Sequence, residues 1–253
     1  MSRARTDLPA SARLAWWGTA WLRGHVVADL VVDEVVAAEE TGQATHVLSG
    51  LADLGLGGEP VEALIGGLAR LRVEGATCLG AAFPAEGDPV GLGGPVAFNH
   101  DALEMGEAAV ADGIGLVPHV VGGATTWVAH RADRRQLPDV GEADRALRAG
   151  LLEATDLLAR LDVARWRPEL ADHLMNLRHR EPLTAPPGTP ARCVDLADRA
   201  LVAREIVDLA LEDDGGALTL HEAQRREQAL VPLGRAARRA LVAACSPEVW
   251  PMT

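Results

Sequence analysis

The stretch "IGLVPHVVGGATTWVAHR", residues 114–131, decides the fold. Two runs rich in β-branched and aromatic residues flank Gly122-Gly123. A glycine pair in that setting reads as a two-residue hairpin turn, because the turns that match strand twist need positive φ. Fixing the turn there sets Val121 opposite Ala124 and assigns each side chain to a face. Ile114, Leu116, Pro118, Val120, Thr125, Trp127 and Ala129 fall on one face, the expected core side. His119, Thr126 and His130 fall on the other, with Val117, Val121 and Val128. The two histidines stand four register positions apart, about 13 Å at ~3.3 Å per residue. That spacing predicts that they do not share a metal ion and that each faces solvent or is hydrogen-bonded.

Upstream of the hairpin, "ATHVLSG" (44–50) and "ATCLGAAFP" (76–84) read as strands. "EPVEALIGGLARLRVEG" (59–75) and "FNHDALEMGEAAVADG" (98–113) read as helices. Two successive strand-helix-strand units predict parallel pairing with right-handed crossovers, and the hairpin adds an antiparallel strand at one edge. Two further helices are expected at about 9–23 and 29–40, the second also being good strand material. Trp17 and Trp21 share the face of Leu14 and are expected core anchors, whereas Trp16 projects about 100° away. Trp16 is therefore a candidate interface residue, covering the helical part of the chain or meeting another chain.

Beyond about residue 135 the apolar residues recur at helical spacing with almost no strand signal. Leu147, Leu151, Ala154, Leu158 and Leu161 form one stripe. The stretch 190–212 has a wide apolar arc and is the expected central helix. A last helix starts at Thr219, with Glu222 three residues on, and runs toward Cys245 with a kink expected at Pro232. With "RPELADHLMNLRH" (167–179) these segments predict an antiparallel array. The expected fold class is thus α/β plus all-α. A small mixed, mostly parallel sheet with helices occupies 1–135, and an antiparallel helical bundle occupies 136–253, with room for the two to pack as one unit.

Among 253 residues there are 36 acids against 24 basic residues, every one of which is arginine, giving a net charge of -12. That balance opposes nucleic-acid binding. The absence of lysine and tyrosine, with abundant alanine and glycine, points to a GC-rich bacterial genome. Cys78, Cys193 and Cys245 are odd in number and widely spaced, which fits a reducing, cytoplasmic setting better than a disulfide framework. No apolar run approaches the ~18 residues a bilayer span needs, and no membrane association is expected.

The loop "EGDPVGLGGPVAFNHD" (86–101) lies between a strand and a helix, where phosphate cradles are found in α/β proteins. The dinucleotide fingerprint fails, since "GLGGPV" places Val96 where the third glycine belongs, and a Walker A loop needs a lysine the chain lacks. No cofactor is expected. Asp88, Gly91, Gly93, Gly94, Asn99, His100 and Asp101 remain candidates for holding an anionic or polar metabolite, with Asn99 also able to cap the helix internally. None of the four serines lies in a GxSxG context, and Cys78 reads as an inert buried thiol. "HEAQR" at 221–225 has arginine where a zincin has its second histidine, and Glu169 with His173 lacks a third ligand, so no metal is expected.

Two charged features complete the reading. Glu212, Asp213 and Asp214 crowd a helix end that favours cations, and are either solvated, paired with arginines, or open to a cation or basic partner. Arg225, Arg235 and Arg239 lie opposite Leu230, Ala237 and Leu241 on the last helix, as a solvated face or a surface for an acidic partner. The preferred expectation is a non-catalytic interaction or regulatory protein. The alternative is a small-ligand-binding protein or enzyme using the loop at 84–104.

Overall fold

The structure, a computed structural model, describes residues 8–36, 45–160, 182–212 and 220–251; the side chains of 156–160, 212, 220–227 and 229 stand outside that description. The chain opens with helix α1, which runs Ala10–Arg13, passes through a π-helical stretch Leu14–Gly18 and continues Thr19–Leu22. Helix α2 (Ala28–Val36) follows. Next come β1 (Thr45–Ser49), β2 (Val61–Ala63), α3 (Leu64–Val73), β3 (Gly80–Ala82), α4 (Val96–Met105), β4 (Ala108–Ala111), β5 (Ile114–Val121) and β6 (Ala124–Arg131). Among the described residues that follow there are three long helices, α5 (Val140–Arg160), α6 (Ala191–Glu212) and α7 (Leu220–Ala244), the last containing Pro232, and then a 3-10 turn at Pro247–Val249.

The sheet has six strands in the order β2-β1-β6-β5-β4-β3. The hairpin forms in the expected register, from Val121 opposite Ala124 to Ile114 opposite Arg131. Its core side is buried at Ile114, Leu116, Thr125, Trp127 and Ala129, while Val120 at the open tip is 65% exposed. The sheet is mixed, but the expected parallel majority is overturned: β1 with β6 is the parallel pair, and the remaining pairs are antiparallel.

Two strands hidden inside expected helices account for this. Val61–Ala63 folds back onto β1 before α3 begins. Gly106, at φ 75°, ends α4 with a left-handed residue, so "EAAVADG" leaves the helix, forms β4 and turns back into β5 at Asp112-Gly113. An Asp-Gly pair between apolar runs is a strong hairpin signal, and it arrives too late in the segment for helical periodicity to override it.

The second face of the sheet is also covered. Val117 and Val110 pack with Phe98, Ala102 and Leu92, so α4 shields the side that carries the histidines. On the main face the tryptophans of α1, the sheet and all three long helices share one continuous apolar core. Within the helical part, α7 packs against both α5 and α6, which touch each other far less. The central helix is therefore α7 and not 190–212 as the apolar arc suggests. The reason is its C-terminal run, where Ala240, Leu241, Val242, Ala243 and Ala244 are all fully buried.

That buried helix end is joined to the sheet edge by backbone groups. Ala244 O accepts from the indole Nε1 of Trp16 at 3.2 Å and of Trp250 at 3.0 Å. Cys245 O accepts from the amide of Ala81 on edge strand β3 at 2.9 Å. Carbonyls at a helix C-terminus lack intrahelical donors, and an edge strand has unpaired amides, so each satisfies the other. Trp16 is thus fully buried and covers the helical part; the expectation that it presents a contact to another chain does not hold. Trp17 is a core residue, and Trp21 is only partly buried, with Arg72 stacked 5.1 Å from its ring.

Gly115 on β5 has Phe98 Cε2 only 2.3 Å from the position of an added Cβ, whereas nothing lies within 4 Å of one at Gly123. Gly115→Ala is expected to lower stability by roughly 1–3 kcal/mol through overpacking, with Gly123→Ala near neutral. Urea unfolding followed by tryptophan fluorescence compares the two.

Candidate functional site

The glycine-rich loop comes down onto the sheet edge and is filled by its own chain. An added Cβ at Gly91 would lie 2.8 Å from Ala82 Cα, and one at Gly93 would lie 2.5 Å from Arg134 O. Gly94 has φ 105°, which glycine alone adopts readily, and its amide donates to Asn99 Oδ1 at 3.0 Å. Asn99 therefore fastens the loop. The helix begins at Val96 after Pro95, two residues earlier than expected, so Asn99 lies inside it and does not cap it. These glycines exist for close backbone approach to the sheet and to the strand-exit segment at 133–134, and they do not form an open cradle.

Arg135 holds the loop from behind. Its side chain is only 4% exposed. Its guanidinium donates to Ala81 O at 3.1 Å and Gly91 O at 3.4 Å, and pairs with Glu248 beyond α7. A planar fork with several donors can satisfy backbone acceptors and a carboxylate together.

The loop's acid, Asp88, is 2% exposed and faces three arginines of α7. Arg239 Nη2 donates to Asp88 Oδ1 at 2.8 Å, while Arg238 Nη2 and Arg235 Nε stand 3.6 and 3.7 Å from Oδ2. A buried carboxylate needs such partners, since an isolated charge in that position would be very costly. Part of the arginine face expected to await an acidic partner is thus met by an acid of the same chain. Arg235 and Arg239 remain half exposed, and Arg238 is 23% exposed. Burial pushes the Arg238 guanidinium down from its ordinary range; Asp88 opposes that shift, and Arg204 and Arg235 add repulsion. Arg204 also lies over the buried Phe83 ring, 5.7 Å from its centroid.

Asp101, the other loop acid singled out, forms a second group. From α4 its carboxylate accepts from His130 Nε2 at 2.7 Å and meets His119 Nε2 at 3.0 and 3.2 Å. Because an ionised carboxylate only accepts, each imidazole presents an Nε2–H to it. The distance of about 13 Å between their register positions is spanned by the two side chains leaning toward the acid. Both histidines are hydrogen-bonded, as the hairpin register allowed, but they are not independent of each other. Among the described residues no group of three or more His, Cys, Asp or Glu is arranged to hold a metal ion.

Of the expected loop residues, Asp88 and Asp101 point into different clusters, and exposed His100 belongs to neither. Arg238 and Arg204 were missed, because helical-wheel position alone does not separate a snorkelling arginine from one turned inward. Arg225's side chain, the pair Glu169 and His173, and the acidic run Glu212, Asp213 and Asp214 lie outside the described residues or side chains.

The thiols are not activated. Burial raises Cys78, pushes Cys193 up to about 11 and raises Cys245 well above the ordinary thiol range. A thiol that stays protonated is a poor nucleophile. Ser11 and Ser246 are fully buried.

A small sheet closed at its edge by a helix end, with a histidine-acid group on one face and an arginine-acid group at the junction, is a mixed α/β protein of two interlocked parts. The chain belongs to the Rv1486c-like family: the model of its N-terminal domain matches residues 11–140 and that of its C-terminal domain matches 141–242. It is 27% identical to "Uncharacterized protein Rv1486c" of Mycobacterium tuberculosis (strain ATCC 25618 / H37Rv), over 95% of this chain and 98% of that one. Identity and coverage are the same for "Uncharacterized protein MT1533" of Mycobacterium tuberculosis (strain CDC 1551 / Oshkosh). No solved structure matches the chain.

Glu107, just after α4, accepts from the Ser11 amide at 2.8 Å, and burial pushes its carboxyl up, with that amide partly opposing the shift. A carboxyl raised above its unfolded value stabilises the protonated native state, so this contribution is present at low pH and is lost as pH rises through the native value. Glu107→Gln is expected to raise stability at pH 8 by about 1 kcal/mol, with the gain vanishing near pH 4. Thermal unfolding of both proteins across that range measures it.

Proposed function

We propose that the protein acts without catalysis, as an interaction or regulatory protein that receives an acidic segment of a partner protein on the arginine side of α7. The observation that carries this reading is the seating of Asp88 among Arg235, Arg238 and Arg239, with two of the three guanidinia still half exposed. Three guanidinia around one carboxylate leave an excess of positive charge in a molecule whose net charge is -12. Such a local reversal of sign steers a complementary acidic surface and disfavours other orientations. Protonated thiols and a loop filled by its own backbone support the non-catalytic part of the reading.

The cytoplasm is the proposed compartment, on the strength of three free thiols. The proposal extends to the helical half, as an antiparallel bundle over 136–253. Self-association through Trp16 is not part of this reading, because that side chain is buried.

Fluorescence anisotropy with a labelled oligoglutamate peptide tests the docking surface. Binding should weaken with added salt, and Arg235→Ala with Arg239→Ala should reduce affinity about fivefold while circular dichroism stays unchanged. Absence of binding by the native protein, or full binding by the double variant, sinks the reading.

A further inference from the structure

The junction between loop and helices contains three buried polar atoms without hydrogen-bond partners: Asp88 Oδ2, Arg238 Nε and Arg204 Nη1. Arg238 Nη2 stands 3.6 Å from Asp88 Oδ2, and Arg204, stacked over Phe83, lies close enough for its charge to bear on Arg238 and on Glu107. Buried polar groups in native proteins are nearly always satisfied, so three such atoms at one junction make an unmet demand. Oδ2 stands 3.6–3.7 Å from two guanidinia, within ion-pair range but beyond ordinary hydrogen-bond length.

The unmet demand has a definite chemistry. Two guanidinium N–H groups need acceptors, whereas one ionised carboxylate oxygen needs a donor. Water meets both demands but leaves the charge unbalanced, with Arg235, Arg238 and Arg239 around a single aspartate and Arg204 adding its charge beside Arg238. A bare dianion such as sulfate balances the charge but brings a lone pair against Asp88 Oδ2. An oxyanion that keeps one proton meets every requirement: its oxygens accept from the arginines and its own O–H donates to the aspartate.

We propose that this junction is a binding site for a singly protonated tetrahedral oxyanion, inorganic phosphate or the terminal phosphate of a small metabolite. Arg238 and Arg204 are its inner donors, and Asp88 is the acceptor that selects for a proton on the ligand. The site goes beyond partner docking and stands without it, because it uses the inward atoms of the cluster and not the exposed guanidinia of Arg235 and Arg239. Arginine is suited to the task, since its planar fork pairs with phosphate oxygens and stays charged when partly buried.

Thermal unfolding and isothermal titration calorimetry of the whole chain test the proposal, with inorganic phosphate, sulfate and chloride compared at equal ionic strength. A ligand that binds the native state raises the melting temperature, so phosphate should raise it and sulfate should act as chloride does. Arg238→Gln and Arg204→Gln should each weaken phosphate about tenfold. Asp88→Asn should bring sulfate and phosphate to similar affinity, because an amide can donate to either. Glycerol 3-phosphate distinguishes the two sources: tighter binding than inorganic phosphate identifies a metabolite's phosphate as the ligand, and weaker binding identifies the free ion.

Equal responses to phosphate, sulfate and chloride by the native protein overturn the proposal, and that comparison needs no variant to fold. Retention of phosphate binding by the Arg238 and Arg204 variants overturns it as well. The oligoglutamate measurement is separate: its loss leaves the oxyanion site untouched, and loss of phosphate binding leaves peptide docking untouched.

Discussion

One buried carboxylate, Asp88, joins the two parts of the molecule. A charge that is 2% exposed must be met by opposite charge, and the arginines that meet it come from a helix some 150 positions later in the chain. The loop can therefore take its place only when α7 is docked, and α7 can bring its arginines inward only when the loop is there. The same mutual dependence appears at the end of α7, where Trp16, Trp250 and the amide of Ala81 take up the last carbonyls. A continuous core running from α1 through the sheet into the long helices follows from these links.

Glycine serves proximity here. Gly91 and Gly93 allow the loop to lie against β3 and the segment after β6, and Gly80 leaves room for the Arg135 guanidinium, which would stand 2.1 Å from an added Cβ. Arg135 in turn satisfies the outward carbonyl of Ala81 on the edge strand, next to the amide taken by Cys245. An edge with its donor and acceptor both occupied offers no template for another strand. The loop that resembles a phosphate cradle in outline is, at atomic scale, part of the sheet's closure. Beside it, the buried side-chain atoms Asp88 Oδ2 and Arg238 Nε have no hydrogen-bond partner.

The other polar cluster shows how far register reasoning reaches. The Gly122-Gly123 turn assigned His119 and His130 to one face, and the structure agrees with every pairing of the hairpin. Register measures distances along the backbone, however, and two imidazoles can lean several ångströms toward a carboxylate from a helix laid across the sheet. Asp101 comes from α4, and nothing in the local pattern states that α4 crosses over that face. Likewise β4 was concealed in a segment of good helical composition, although Gly106 and Asp112-Gly113 bracketed it with turn chemistry.

What the sequence determined by itself was local: the hairpin and its register, the long helices with their buried stripes at Leu147, Leu196 and Leu241, the failure of the dinucleotide and Walker motifs, and the acidic net charge. Each rests on spacing or on a backbone preference that neighbouring residues settle among themselves. Only the tertiary structure decided that the sheet is largely antiparallel, that Trp16 turns inward, and that Asp88 and Asp101 part company to meet arginines and histidines from distant elements. The reason is physical. Whether an arginine snorkels or turns inward, and which strand pairs with which, depends on the free energy of burying surfaces that are far apart in the chain.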